Sequence, residues 1–246
     1  MAFYTWCLWI LQGFWILQVL TTLSFSLSEP SVWAGALTDK SILIRLWDIT
    51  EEVTLSVCDN AQSFLYRVDG GNTTRWDRSS HSPVLTPPSP RWWLLELSEL
   101  PSGCSVELKG GVEASYHTLQ SNSHSDEGPS TTKLAFGSCD RFDLGTSTLT
   151  VYKHIQEEGV DLMVHLGDLH YRDIEENRTE PFTQAFMEVL GNAKRQVLLK
   201  KVPMDYVWND HDFGPNNADR NNPARLASRQ AFSEFVPHYP MGDEFS

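Results

Sequence analysis

Apolar and polar positions alternate along residues 32–118 and then change period. Ile42, Ile44 and Leu46 fall on one face of the run 41–47, and Val53, Leu55 and Val57 do the same before Cys58. Alternation of this kind predicts half-buried strands. Phe64 to Val68 leads into the turn cluster 69–72, and 91–97 is a further strand. Ser105 to Lys109 runs into Gly110-Gly111, a two-residue hairpin signal. Short strands at this spacing predict a β-sandwich. From 120 to 132 the chain is polar and turn-rich, which reads as a linker.

Beyond the linker the pattern becomes strand, helix, strand, helix. Lys133–Gly137, Asp161–Leu166 and Met204–Trp208 are short apolar runs of buried-strand type. Between them, Thr146-Ser147 can cap a helix that carries Val151, Tyr152 and Ile155 and stops at Gly159. Phe182, Phe186, Val189 and Leu190 predict one helix from Glu180 to about Lys200, and Asn222-Pro223 opens a last one with proline at its first position. A β-α-β-α-β-α order predicts a parallel sheet covered by helices, with all strand ends on one edge.

Each of those strands ends in groups able to do chemistry. The first runs into Ser138-Cys139-Asp140, the second into Gly167-Asp168-Leu169-His170-Tyr171, the third into Asn209-Asp210-His211-Asp212. Open α/β sheets place ligands at such ends. A carboxylate shared between two cations would clamp attacking and leaving oxygens, a thiolate and a phenolate suit a trivalent ion, and hard oxygens suit calcium. The plainer readings are a turn-capping Asp168, a packed Tyr171 and a buried, inert Cys139. Arg141 and Arg220 lie just beyond two of these strands and could meet phosphate or simply be solvated. His165 reads as a satisfied core histidine, His170 has no assigned role, and Asp212 orients its neighbour.

The formal net charge of −13 argues against nucleic-acid binding. Residues 1–28 carry no Asp, Glu, Lys or Arg and end in Ser26-Leu27-Ser28, so they read as a secretory signal; the alternative is an uncleaved anchor through residues 3–20. Sequons at Asn72 and Asn177 agree with export. After removal of Cys7, a disulfide between Cys58 and Cys104 leaves Cys139 over, and metal ligation is one reason for an odd thiol.

Three stretches together resemble the PhoD-like secreted alkaline phosphatases and phosphodiesterases, relatives of the calcineurin-like metallophosphatases. They are Phe136–Cys139, Asp161–Tyr171 and Val202–Asn217. The resemblance implies hydrolysis of phosphate esters by metal-activated hydroxide. It implies Fe3+ and Ca2+, with Cys139 as thiolate ligand, Asp168 as bridging carboxylate, Tyr171 as phenolate, Asp210 and Asn217 as oxygen ligands, and His211 as the catalytic histidine. Together with the residue patterns, the expected layout is a signal peptide at 1–28, an immunoglobulin/fibronectin-like sandwich at 29–119, a linker at 120–132 and, by the resemblance, the N-terminal part of an α/β metallophosphatase-like domain at 133–246. Further strands and ligands are expected after 246, so the parallel sheet is expected to be incomplete and a partner chain could complete it. The alternative function is a non-catalytic exported binding protein that keeps a relic of the metallophosphatase domain.

Overall fold

The computed structural model describes residues 30–68, 71–86, 92–121, 131–140 and 150–241. The expected signal segment, most of the linker, Thr146-Ser147 and Arg141 lie outside the described residues. No helix among the described residues is long and apolar enough to cross a membrane.

Nine strands form two antiparallel sheets. They are β1 (Ser31–Gly35), β2 (Ile42–Trp47), β3 (Val53–Val57), β4 (Ser63–Val68), β5 (Thr74–Asp77), β6 (Val84–Leu85), β7 (Trp92–Ser98), β8 (Ser105–Gly110) and β9 (Ala114–His117). One sheet has the order β1-β2-β7-β4-β5, the other β6-β3-β8-β9. Their inner faces meet in one core, with Ile42, Ile44, Leu46, Trp93 and Leu95 from the first sheet against Val53, Leu55, Val106, Leu108 and Tyr116 from the second. Cys58 and Cys104 form a disulfide. It links neighbours in one sheet, since β3 pairs with β8 and the Cys58 amide donates to Ser105 O at 2.9 Å. The Gly110-Gly111 turn is longer than expected. Leu108 pairs with Ala114, and Gly110 still pairs with Val53 on the other side, so the ladder to β3 holds Gly110 in the strand.

The first sheet is covered on both faces. Trp33 and Trp47 point away from the sandwich core into a second core built by the other half of the chain. Trp47 stacks on Phe235, with ring centroids 6.1 Å apart. The Trp33 indole donates to Met204 O at 2.7 Å. At the outer edge of β1, the Gln196 side chain accepts from Val32 N and donates to Val32 O, both at 3.1 Å. These contacts satisfy backbone groups that an edge strand would otherwise leave bare.

The second half contains β10 (Leu134–Gly137), β11 (Leu162–His165) and β12 (Met204–Tyr206), parallel and in that order. Its helices are α1 (Thr150–Glu157), α2 (Thr179–Leu190), α3 (Ala193–Leu199), the short α4 (Asp210–Phe213) and α5 (Arg225–Phe235). Ala135, Met163, Met204 and Tyr206 face the helices in the second core. On the opposite face Leu134 and Phe136 are 46% and 64% exposed. The expected long helix from 180 to 200 is two helices. Gly191 closes α2 by donating to Met187 O, Asn192 N donates to Val189 O at 3.4 Å, and the Asn192 side chain caps α3 by accepting from Lys194 N and Arg195 N. The last helix also starts later than expected. Asn222-Pro223 forms a turn ahead of α5, with the Asn222 side chain accepting from Ala224 N at 3.2 Å.

Candidate functional site

Parallel strands bring their carboxyl ends to one edge, and the loops that follow stay stitched together there. Cys139 N donates to Gly167 O at 3.1 Å, and Asp140 N donates to Asp168 O at 2.9 Å. Gly167 has φ +93°, and a β-carbon on it would lie 2.5 Å from Asn209 Cβ and 2.7 Å from Asn209 N. Only glycine lets the loops after β11 and β12 approach this closely.

Backbone strain gathers at the same edge. Eight described non-glycine residues have positive φ, and five of them are Cys139, Asp168, Tyr171, Asp173 and Asn217. Side chains other than those of Asn and Asp resist this conformation, so at Cys139 and Tyr171 the packing of the loops imposes it.

The Asp168 carboxylate is the centre of the cluster. Its Oδ2 accepts from Tyr171 OH at 3.0 Å and from Cys139 Sγ at 3.4 Å. Its Oδ1 is buried and has no partner among the described residues. One ligand atom each from Asp168, Asp210 and His211 lies within 4.8 Å of the others, so the three could hold a metal ion. The Asn217 backbone N–H donates to Asp210 Oδ2 at 2.5 Å. A buried carboxylate oxygen without a donor is costly, and a cation would satisfy it. The donor set of thiol, phenol, carboxylates and imidazole fits that use.

His211 stacks near Tyr171, with centroids 4.3 Å apart, and its Nδ1 hydrogen-bonds Asp173 Oδ1 at 2.5 Å. Burial works against its protonation, but the hydrogen bond and charge of Asp173, helped by Asp210 and Asp168, raise its pKa. For Tyr171, burial and then hydrogen bonds with Cys139 and Asp168 push the phenol above its ordinary value. Asp212 is buried behind the cluster. Its Oδ1 accepts from Leu169 N at 2.7 Å and His170 N at 3.0 Å, and its Oδ2 accepts from Asn209 N at 3.3 Å, which ties two loops together.

Of the residues singled out by sequence, Cys139, Asp168, Tyr171, Asp210, His211 and Asn217 come together. Arg220 lines a cavity that also contains Asp210. Cys139 is exposed, which removes the reading of a buried inert thiol. His165 is buried but not satisfied. It points into the helix-facing core beside Tyr206, and its Nδ1 has no partner among the described residues. Asn72 and Asn177 are exposed, and Asn177 Oδ1 also accepts from Ala227 N at 3.2 Å.

Two partners carried little sequence signal. Asp173 is a charged residue in an ordinary polar turn until His211 meets it. Arg195 is fully buried under the loop after β10 and bonds Asp140, Tyr152 OH and Val189 O. A buried guanidinium needs such partners, and this one fixes the residue next to Cys139.

No protein-family model matches the chain, and no curated protein matches it. A solved structure of PhoD aligns with a TM-score of 0.56 at 19% identity, over 89% of this chain and 49% of that one. A purple acid phosphatase isolated from yellow lupin (Lupinus luteus) seeds aligns at 14% identity over 86% of this chain and 41% of that chain, with a TM-score of 0.45 that is too loose to carry an argument. At this identity the PhoD likeness establishes the fold. The resemblance read from the three motifs is borne out at that level: the chain has a metallophosphatase-like fold with a parallel sheet, and it spans about half the length of the PhoD structure.

Proposed function

We propose that this chain carries the site of a metal-dependent phosphoesterase acting on phosphate esters. The observation that supports this best is the convergence of Cys139, Asp168, Tyr171, Asp210 and His211 at the carboxyl edge of β10-β11-β12, around a buried carboxylate oxygen with no donor among the described residues. Cys139, Asp168 and Tyr171 would hold Fe3+, and Asp168, Asp210 and Asn217 would hold Ca2+. When bound, these cations supply Lewis acidity that offsets charge on the phosphoryl oxygens. Asp173 aims His211 and favours its protonated form, so that His211 can donate a proton to the leaving oxygen. Asp212 and Arg195 hold the loops that carry the ligands.

The protein is an exported glycoprotein in this reading. Residues 1–28 are its signal, Asn72 and Asn177 its glycosylation sites, and residues 120–132 the link between an immunoglobulin/fibronectin-like sandwich and the phosphoesterase half. The Cys58–Cys104 bond suits an oxidising compartment.

Metal analysis with phosphatase and phosphodiesterase assays on the chain, beside Cys139→Ser and Asp168→Asn, tests the enzyme reading. Bound iron and calcium with turnover lost in both variants is the expected result. Folded protein with neither metal nor turnover would overturn it in favour of a binding protein.

A further inference from the structure

A cavity of about 420 Å³ opens beside the cluster, and it is basic on an otherwise acidic chain. Asp210 belongs to both, so an ester whose phosphorus sits at the cluster reaches the cavity with its neighbouring groups. Arg220, Arg225 and Arg229 line it together with Trp208. Arg225 and Arg229 stand at i and i+4 in α5, which puts them on one face. Arg225 is the first residue of that helix, where the positive end of the helix dipole adds to its charge.

Acidic residues outnumber basic ones 32 to 19, so an exposed arginine here easily finds a carboxylate. Arg67, Arg75, Arg172 and Arg178 each do so, with Glu96, Glu99, Glu188 and Glu176. Arg220 and Arg225 form no ion pair among the described residues. The one further carboxylate of the cavity, Asp219, already accepts from Asn221 N at 2.8 Å and Asn221 Nδ2 at 3.3 Å. Trp208 is braced edge-on against Phe232, with centroids 4.3 Å apart, and stacked on Phe213. It gives the cavity a braced aromatic wall, on which a guanidinium can stack.

We infer that this cavity binds a second phosphoryl group, so that the site takes substrates with two or more linked phosphates in preference to simple monoesters. Guanidinium groups match phosphate oxygens two at a time, and several converging on one cavity favour a multiply charged anion. The inference rests on the phosphoesterase reading for where the reacting phosphorus lies. The anion site itself needs no metal, which allows the two to be tested apart.

Calorimetric titration of the full chain in metal-free buffer, with inorganic phosphate and with inorganic pyrophosphate, is the test. Pyrophosphate is expected to bind about tenfold more tightly, the effect of roughly one added charge-assisted contact. Arg220→Ala and Arg225→Ala should each abolish most of that preference, and Arg225→Lys should keep part of it. Equal binding of the two anions, or a preference untouched in both alanine variants, overturns the inference. A retained preference without turnover of any ester upholds the anion site while sinking the enzyme reading. Turnover without the preference sinks the anion site alone.

Discussion

The two halves of this molecule bury their residues to opposite ends. In the sandwich, alternating side chains fill a core that is almost wholly apolar, and a disulfide staples two of its strands. In the α/β half, two carboxylates, two histidines and an arginine are buried near one edge, and several of their polar atoms have no partner among the described residues. The first arrangement gains stability from each residue it encloses. The second spends stability to hold polar and charged groups close together. Substitutions should therefore separate the halves cleanly.

The largest effect is expected where the halves meet. Trp33→Ala removes a fully buried indole and strands Met204 O, and should cost about 3–5 kcal/mol for the cavity and about 1 more for the lost bond. Urea denaturation measures this, and a loss below about 1 kcal/mol would mean the joint is not structural. Next comes the disulfide, which closes a separation of 46 residues. Its removal by Cys58→Ser with Cys104→Ser should lower stability by about 4 kcal/mol in the same assay.

Within the α/β half, Gly167→Ala meets both a forbidden φ and the backbone of Asn209. A loss of about 2–3 kcal/mol is expected, and an unchanged midpoint would show that the loops can part.

A smaller effect depends on pH. Burial lowers the His165 pKa from 6.5, outweighing the upward pull of Asp212, Asp140 and Asp168, and Arg195 adds to the lowering. The unfolded chain thus takes up the proton first. Stability should be full above about pH 6.5 and fall below it, by up to about 1 kcal/mol per pH unit. His165→Leu should flatten that slope between pH 7 and 5; an identical slope would assign the loss to other groups.

The smallest change in stability is expected at the centre of the site. Asp168→Asn in metal-free protein should shift it by less than about 1 kcal/mol, because it removes a buried charge whose Oδ1 has no donor among the described residues. A drop comparable to that of Trp33→Ala would make Asp168 a structural residue and erase the contrast.

What the sequence made legible follows the same divide. Strands such as 42–47 and 204–206 declare themselves because alternation and apolar runs are local properties of the chain. The ligand-bearing ends of β10, β11 and β12 were legible for the same reason, since each follows its strand directly. Local pattern could not show that Trp33 and Trp47 turn outward to a second core, or that Gly191-Asn192 breaks a helix whose apolar spacing runs on. Nor could it pair Asp173 with His211, 38 residues away, or Arg195 with Asp140, 55 residues away. Arg225 and Arg229 did carry a signal, their spacing of four beyond Arg220, but only a cavity gives three arginines a common direction.

Gln196 carries a practical consequence. Its carboxamide stands in for a neighbouring strand along β1, so the outer sheet of the sandwich ends sealed rather than open. A sandwich cut away at the linker would lose that seal and expose bare backbone next to Trp33 and Trp47. Such an edge is a template for pairing with other chains, and the excised fragment should self-associate more readily than the intact protein.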